Sequence, residues 1–468
     1  MTIEATSVGD GRFAVPGNRW DLTLDPGDPL AYRDTETSVV VPFYDNQHDL
    51  DLLLTALSVQ THPSTRLQVV IADDGSPRPP QVPDQARGLN ISVVGQQNAG
   101  FRAGTARNLG VSRSEGEVLL FLDGDTVPSP DYVRRLSRLP AAIPDAVVSG
   151  RRRYADLSRW TPADLLTWFA GHDAGPTGWE EPSWMTGEYE RTGNLLRVHP
   201  RSYKYLIGAV LGCTREMFDA VRGFDESIVG YGGEDYDFTY RAYNSGAVLA
   251  YVPGAVAWHD GREWAGRTDP DLQSAQKNRE MMMLAARIPE PSMRGHGQIY
   301  PVVDVLVDVH GSGWTLGAGV LCIRSLLATL DCAVTVVGED ESCVDLRAAF
   351  RSDPRVRDAL SLSEDQISSD ARARLHVVVR EAVRVTPSFA DRVGELLEAD
   401  GGSLDVTAGG RSVVTVGSHR RRTRLARYPL LPAEVTDHWF SQCAMDHRES
   451  GVDLIAAEPR LAAVFGGY

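Results

Sequence analysis

Residues 118–125 read VLLFLDGD. Five consecutive apolar residues, Val118 to Leu122, form the kind of run that a parallel strand buried on both faces requires. The run stops at Asp123-Gly124-Asp125, so two carboxylates stand at the carboxyl end of a buried strand. In an open α/β sheet that end is where functional groups collect. Gly124 between them lets the backbone approach a ligand closely.

The same alternation continues upstream. A helix is expected over 105–112 and strands over 38–43 (SVVVPF), 67–72 and 91–94. Leu50, Leu53, Leu54 and Leu57 recur at helical spacing after the first strand, and His62-Pro63 ends that helix. This succession predicts a doubly wound α/β sheet. Its strand ends carry Tyr44 and Asp45, Asp73 and Asp74, and Asp123 and Asp125 on one rim. Downstream, residues 154–205 hold Trp160, Trp168, Trp179 and Trp184 among Gly, Pro and charged residues, a stretch read as irregular. Its aromatics suit stacking on sugar rings or the packing of a long loop equally. A helix is expected over 234–244, then a strand over 247–252 closed by a Pro253-Gly254 turn.

Residues 1–36, rich in Gly, Pro and Asp, read as an extended leader, and 37–290 as the main domain. After Pro289 the pattern restarts, with a strand over 302–309, a helix over 316–330 and a strand over 333–337, so 291–468 form a smaller C-terminal α/β domain. A faint repeat pairs DTVPSPDYVRRL from Asp125 with RVTPSFADRVGEL from Arg384 through Pro128 and Pro387. It sets Asp123 on Ala382 and Asp125 on Arg384, which would make the second domain a degenerate copy without its Asp-x-Asp.

Bulk properties bound the remaining classes. At 468 residues with 42% hydrophobic and 24% charged residues, the chain is globular and long enough for two cores. A net charge of −16 argues against a nucleic-acid partner, and the Arg420-Arg421-Arg422 run reads as a solvated or intersubunit patch that leaves a homodimer open. No long apolar run or signal peptide is seen, so no integral membrane segment and a cytoplasmic location are expected. Five scattered cysteines with no Cys-x-x-Cys suggest reduced thiols.

The chemistry follows from three clusters. Asp123 and Asp125 supply hard oxygen ligands of the sort that hold Mg²⁺ or Mn²⁺ on substrate phosphates. Gly232-Gly233-Glu234-Asp235 opens a helix with acids in its first turn, and Asp235 is the candidate general base for an acceptor hydroxyl. Trp258-His259-Asp260 adds an imidazole that would complete a Mn²⁺-tolerant site.

Taken in order, VVVPFY from Val39, VIADDGS from Val70, NAGFRAGTARNLG from Asn98, LFLDGD from Leu120, GFDE from Gly223, GGEDYDFTYR from Gly232 and AWHD from Ala257 resemble the family 2 inverting glycosyltransferases of the GT-A fold. The chain is similar in particular to the branch of bacterial chondroitin-type polymerases and, more distantly, polypeptide N-acetylgalactosaminyltransferases. The resemblance covers about residues 37–290. It implies a GT-A, Rossmann-like mixed sheet and transfer of a hexosyl or N-acetylhexosaminyl group from a nucleotide diphosphate sugar, UDP-linked first, to a glycan, glycoside or small-molecule acceptor. It further implies that Tyr44 and Asp74 contact the uracil beside Pro42, and that Arg107 lies near the nucleotide. Asp123 would face the ribose, Asp125 and His259 would bind Mn²⁺ or Mg²⁺, Asp235 would be the base and Glu234 would orient a sugar. A metal-dependent sugar nucleotidyltransferase is the alternative enzyme, but it would place a Gly-rich basic loop where Pro42-Phe43-Tyr44-Asp45 stands. An inactive sugar-nucleotide or glycan-binding module would show a broken carboxylate set, whereas Asp123, Asp125 and Asp235 are all present.

Overall fold

The computed structural model describes residues 4–24, 35–261, 270–294, 298–358, 370–398 and 401–466. Two compact units emerge, Met1–Tyr243 with Ala247–Glu280, and Asn244–Gly246 with Met281–Tyr468. The first begins with a hairpin, β1 (Thr6–Gly9) and β2 (Arg12–Ala14), where an extended leader was expected. Two interactions tie the leader down. Arg12 pairs with Glu216 at 2.8 Å, and the Asn18 side-chain amide donates to the carbonyls of Leu195 and Leu249 while accepting from the Leu249 N–H.

The main sheet of the first unit is built from β3 (Thr37–Phe43), β4 (Leu67–Asp73), β5 (Asn90–Gly95), β6 (Val118–Leu122), β7 (Thr126–Pro128), β8 (Ala146–Ala155), β9 (Gly178–Trp179), β10 (Val210–Thr214) and β11 (Val248–Asp260). The spatial order is β5-β4-β3-β6-β10-β8-β11-β7, with β9 on β8. Strands β5, β4, β3 and β6 are mutually parallel, β10 is antiparallel to both β6 and β8, β8 and β11 are parallel, and β7 closes antiparallel on β11. All five residues of β6 are buried, which accounts for its unbroken apolar sequence. The helices α1 (Gln47–Ser58), α2 (Ala103–Val111), α3 (Tyr132–Ala142), α4 (Pro162–Phe169), α5 (Ser183–Thr192), α6 (Arg215–Ala220), α7 (Glu234–Asn244) and α8 (Pro270–Ala285) complete the unit, α8 running past its boundary.

Two expectations need correcting. Pro253-Gly254 is no turn, because β11 runs on as one strand whose register with β8 jumps between Val252↔Gly150 and Val256↔Arg151. Residues 253–255 bulge out, which disposes of the missing proline donor without ending the strand. The stretch 154–205 is also less irregular than its composition suggested. Helices α4 and α5 lie within it, and Trp160, Trp168, Phe169 and Trp258 pack on a core of Leu52, Ala56, Val127, Ala155, Leu157 and Leu165. The Trp168 and Trp258 rings meet edge-on at 4.7 Å, so Trp160 and Trp168 serve packing.

The second unit has β12 (Val305–His310), α9 (Leu316–Thr329), β13 (Cys332–Val337), α10 (Glu341–Ala349), β14 (Val356–Asp358), β15 (Leu375–Val379), β16 (Val383–Val385), α11 (Pro387–Glu398), β17 (Ser403–Ala408), β18 (Arg411–Ser418), α12 (His419–Arg427), β19 (Gln442–Asp446) and β20 (Val452–Leu454). Its sheet runs β14-β13-β12-β15-β18-β17-β19. Strand for strand this matches β5-β4-β3-β6-β10-β8-β11, with the same parallel and antiparallel senses at every junction. The repeat is therefore structural, but its register differs from the proline-based pairing by two residues. Leu122 ends β6 as Val379 ends β15, and Thr126 begins β7 as Val383 begins β16, so Asp123-Gly124-Asp125 corresponds to Arg380-Glu381-Ala382. The prolines misled because Pro128 closes a strand whereas Pro387 opens a helix.

Two glycines in the first turn of α9, Gly317 and Gly319, are explained by packing. A Cβ on Gly317 would lie 2.5 Å from the Glu458 carboxylate, and one on Gly319 would lie 2.1 Å from the Leu346 side chain.

Close packing also fixes Gly212 in β10, where a Cβ would lie 2.7 Å from Leu120 and 3.0 Å from Val148. The variant G212V is expected to lower stability by about 1–3 kcal/mol through overpacking. A chemical-denaturation midpoint equal to that of the parent chain would refute this account of the sheet centre.

Candidate active site

The metal-type pair forms where β7 meets the end of β11. The Thr126 N–H donates to the Asp123 carbonyl at 3.0 Å, which turns the chain from β6 into β7. Antiparallel pairing then sets Thr126 opposite His259. Consequently His259 Nδ1 lies 3.1 Å from Asp125 Oδ1, and the Asp260 N–H donates to the Asp125 carbonyl at 2.9 Å. Strand alternation sends Trp258 into the aromatic core and leaves His259 beside Asp125, with the Tyr154 ring 5.7 Å from the imidazole. A carboxylate and a neutral imidazole are suitable donors for Mn²⁺ or Mg²⁺. Among the described residues no group of three or more His, Cys, Asp or Glu could hold a metal by itself. Such a pair suits an ion whose remaining ligands come from substrate phosphate and water.

The buried carboxylates at the start of α7 are organised by Arg107 on α2. Its Nη2 donates to Asp123 Oδ1 at 2.7 Å and its Nη1 to Glu234 Oε1 at 2.9 Å, with the guanidinium 2% exposed. Burial opposes its charge, yet the two carboxylates hold its pKa above the ordinary arginine value. Gly232 and Gly233, at φ +91° and +95°, make the left-handed approach that starts α7 at Glu234. Asp235 follows, its Oδ2 accepting from the Gly208 N–H at 3.1 Å and its Oδ1 from the Tyr236 N–H at 2.8 Å. Burial pushes Asp235 above the usual aspartate range, and the Gly208 amide and the Arg107 charge only partly counter it. Glu234 is raised as well, by burial and then by Asp235, against the pull of Arg107.

At the other end of the rim, Pro42 and Gly124 pass so closely that a Cβ on Gly124 would lie 3.1 Å from the Pro42 carbonyl. Asp74 is buried, its Oδ1 accepting from Gln96 Nε2 at 2.6 Å and its Oδ2 from the Arg102 N–H at 3.1 Å. Tyr44 is exposed, with its hydroxyl accepting from Asn98 Nδ2 at 3.1 Å. The structure thus brings together Arg107, Asp123 and Glu234, then Asp125 with His259, and Pro42 with Gly124. Asp74 and Tyr44 are joined to the loop that follows β5.

Residues missed in the sequence are Gln96, Asn98, Arg102, Gly208 and Asp49. Asn98 and Arg102 lay inside the NAGFRAGTARNLG segment, whose polar spacing was their signal. Asp49 gave none, since an acid in a helix's first turn reads as capping. Burial, followed by repulsion from Asp260 and Asp125, pushes it up to about 6. The R107M variant would leave Asp123 and Glu234 uncompensated and is expected to cost about 3–5 kcal/mol in denaturation experiments. R107K should recover only part, because a single ammonium does not reproduce a guanidinium fork. An R107M chain within ~0.5 kcal/mol of the parent would contradict this role, since an uncompensated buried charge is costly.

Residues 38–200 match the family described as Glycosyl transferase family 2, and 197–258 match the N-terminal domain of galactosyltransferase. The chain is 25% identical over 357 residues to the chondroitin synthase of Escherichia coli, covering 72% of this chain and 49% of that protein. It is 29% identical over 257 residues to the validoxylamine A glucosyltransferase of Streptomyces hygroscopicus subsp. limoneus, covering 53% of this chain and 54% of that one. Among solved structures, the mannosyltransferase PcManGT from Pyrobaculum calidifontis, in complex with GDP-Man and Mn2+, aligns with TM-score 0.37 and 16% identity over 56% of this chain and 68% of that chain. The chain spans half or less of the chondroitin and hyaluronan synthases it matches. No helix among the described residues is long and apolar enough to cross a membrane. A family 2 glycosyltransferase domain followed by a galactosyltransferase N-terminal domain thus accounts for residues 38–258, which form the mixed α/β sheet of the first unit.

Proposed function

We propose that the chain transfers a sugar from a UDP-linked donor to an acceptor hydroxyl with inversion, residues 37–290 acting as the catalytic domain and 291–468 as a non-catalytic one. The observation that carries this reading is the convergence of Asp125 with His259, and of Asp123 with Glu234 through Arg107, from segments up to 134 residues apart. Asp125 and His259 would hold Mn²⁺ or Mg²⁺, an ion that supplies neutralisation of the charge building on a departing diphosphate. Tyr44, Asp74 and Pro42 would take the base, and Asp123 the ribose. Arg107 acts through Asp123 and Glu234, and Glu234 orients the sugar.

Asp235 serves as the base. The acceptor oxygen forms its bond to the anomeric carbon as the bond from that carbon to the diphosphate oxygen breaks, and the hydroxyl proton passes to Asp235. Two backbone N–H groups fix the Asp235 carboxylate, which limits reorganisation during the step. The upward pKa shift makes its carboxylate a stronger base than a solvated aspartate. The second unit carries Arg380-Glu381-Ala382 in place of the Asp-x-Asp, which supports a non-catalytic role for it.

The test is release of nucleoside diphosphate from a panel of UDP- and dTDP-sugars with Mn²⁺ and acceptor glycosides. The parent chain should show metal-dependent release. D235N should lose about 10²-fold or more in turnover, and D125A should lose turnover together with donor affinity. Because protonation disables the base, the rate should fall on the acid side, with a midpoint above the ordinary aspartate range. No metal-dependent release from any donor, or D235N at parental rate, would sink the reading.

A further inference from the structure

Residues 151–153 are three consecutive arginines on β8, and they divide their work unequally. Arg151 grips Glu181 through Nε and Nη2 at 3.0 and 2.6 Å, and Arg153 approaches the same carboxylate at 3.8 Å. Glu181 is thereby spent on them. The side chain of Arg152, half-buried between the two, makes no hydrogen bond or ion pair among the described residues. Its guanidinium instead lies over the Tyr154 ring at 5.1 Å, and that ring stands 5.7 Å from His259.

The sheet explains this placement. β8 runs parallel to β11 with Arg152 opposite Ala257 and Tyr154 opposite His259, so Arg152 and Tyr154 share a face two residues apart. Burial pushes the phenols of Tyr189 and Tyr236 up, and the charge of Arg152 opposes that shift at both. The guanidinium is therefore within electrostatic reach of Tyr236, the neighbour of Asp235. It lines a small recess with Tyr154, Tyr189, Tyr251, Ile207 and Glu181, the last already paired with Arg151 and Arg153, and Ile207 precedes the Gly208 whose amide holds Asp235.

A guanidinium stacked on an aromatic face keeps its N–H edge free, and that planar fork matches a carboxylate or phosphate. The recess is about 20 Å³, room for roughly one water, so it admits one oxygen atom of a charged substituent and no sugar ring. We propose that Arg152 receives an oxyanion of the substrate pair, a donor phosphate or a carboxylate borne by the acceptor sugar, between His259 and Asp235. This rests on the glycosyl-transfer reading above and names one more substrate-binding residue for it.

The experiment uses the full chain and the variants R152Q, R152K and R153Q. Calorimetry with UDP and Mn²⁺ reads the donor source. KM for matched acceptors, one a uronoside and one its neutral glucoside, reads the acceptor source. If the anion is the donor phosphate, R152Q weakens UDP binding about tenfold or more and slows both acceptors alike. If it is an acceptor carboxylate, UDP affinity holds while KM for the uronoside rises about tenfold or more and that of the glucoside stays. In either case R152K keeps part of the effect of the charge and R153Q matches the parent. Should R152Q fail to fold, as seen in its melting curve, R152K carries the same readouts and is expected to show a partial loss. An active parent chain with R152Q unchanged in UDP affinity and in both KM values overturns this proposal alone. A parent chain that neither binds UDP with Mn²⁺ nor turns over any donor overturns it together with the glycosyl-transfer reading.

Discussion

The first unit's candidate site depends on one buried cation. Arg107 joins α2 to the turn after β6 through Asp123 and to the start of α7 through Glu234. An arginine so desolvated is tolerable only because two carboxylates face it, and those carboxylates are in turn held where they are by it. Gly208 shows how little slack remains, since a Cβ there would lie 3.0 Å from Nη2 of Arg107. The Gly208 amide also bonds Asp235, so the guanidinium, the backbone at 208 and the proposed base form one mechanically continuous group.

The opposite half of the site is built by backbone pairing. Without the bulge at 253–255, β11 would either end at Val252 or run on with its later residues in a different register to β8. The bulge lets one strand pack Tyr251 and Val252 beside β8 and then deliver His259 to Asp125 across the short β7. A one-residue slip here would exchange Trp258 and His259 between the aromatic core and the site. Burial of Trp258 against Trp168 therefore sets the face on which the imidazole appears.

Much of this was legible from residue order. The run VLLFL announced β6, and Asp123 and Asp125 had to fall at its carboxyl end. The helix over 234–244 was equally readable, because Gly232-Gly233 frees the backbone and the acids mark a first turn. The partners of Arg107 were not readable, since they lie 16 and 127 positions away and only folding selects them. Pro253-Gly254 misled because the pair favours turns and bulges alike, and the sheet partner decides between them. Trp160 and Trp168 were left open between stacking and packing for a related reason: composition reports an aromatic, and only neighbours such as Leu52 and Val127 show that these two are core.

The second unit separates what makes the architecture from what makes the chemistry. Both sheets place three parallel crossovers before an antiparallel strand and return to the same final order, although their residues at the decisive turn are Asp123-Gly124-Asp125 in one and Arg380-Glu381-Ala382 in the other. Strand order follows from apolar strands, helix lengths and the handedness of crossovers, none of which needs a charged residue at a strand end. Those turn positions lie past the ends of β6 and β15, outside the apolar runs that build the sheets. The second unit accordingly keeps the valine-rich interior of β12, β13 and β15, while among the described residues nothing at its equivalent turn reproduces the Arg107, Asp123 and Glu234 arrangement. The residues that set the fold are thus different from those proposed to set the activity, and the Asp-x-Asp lies in the first unit.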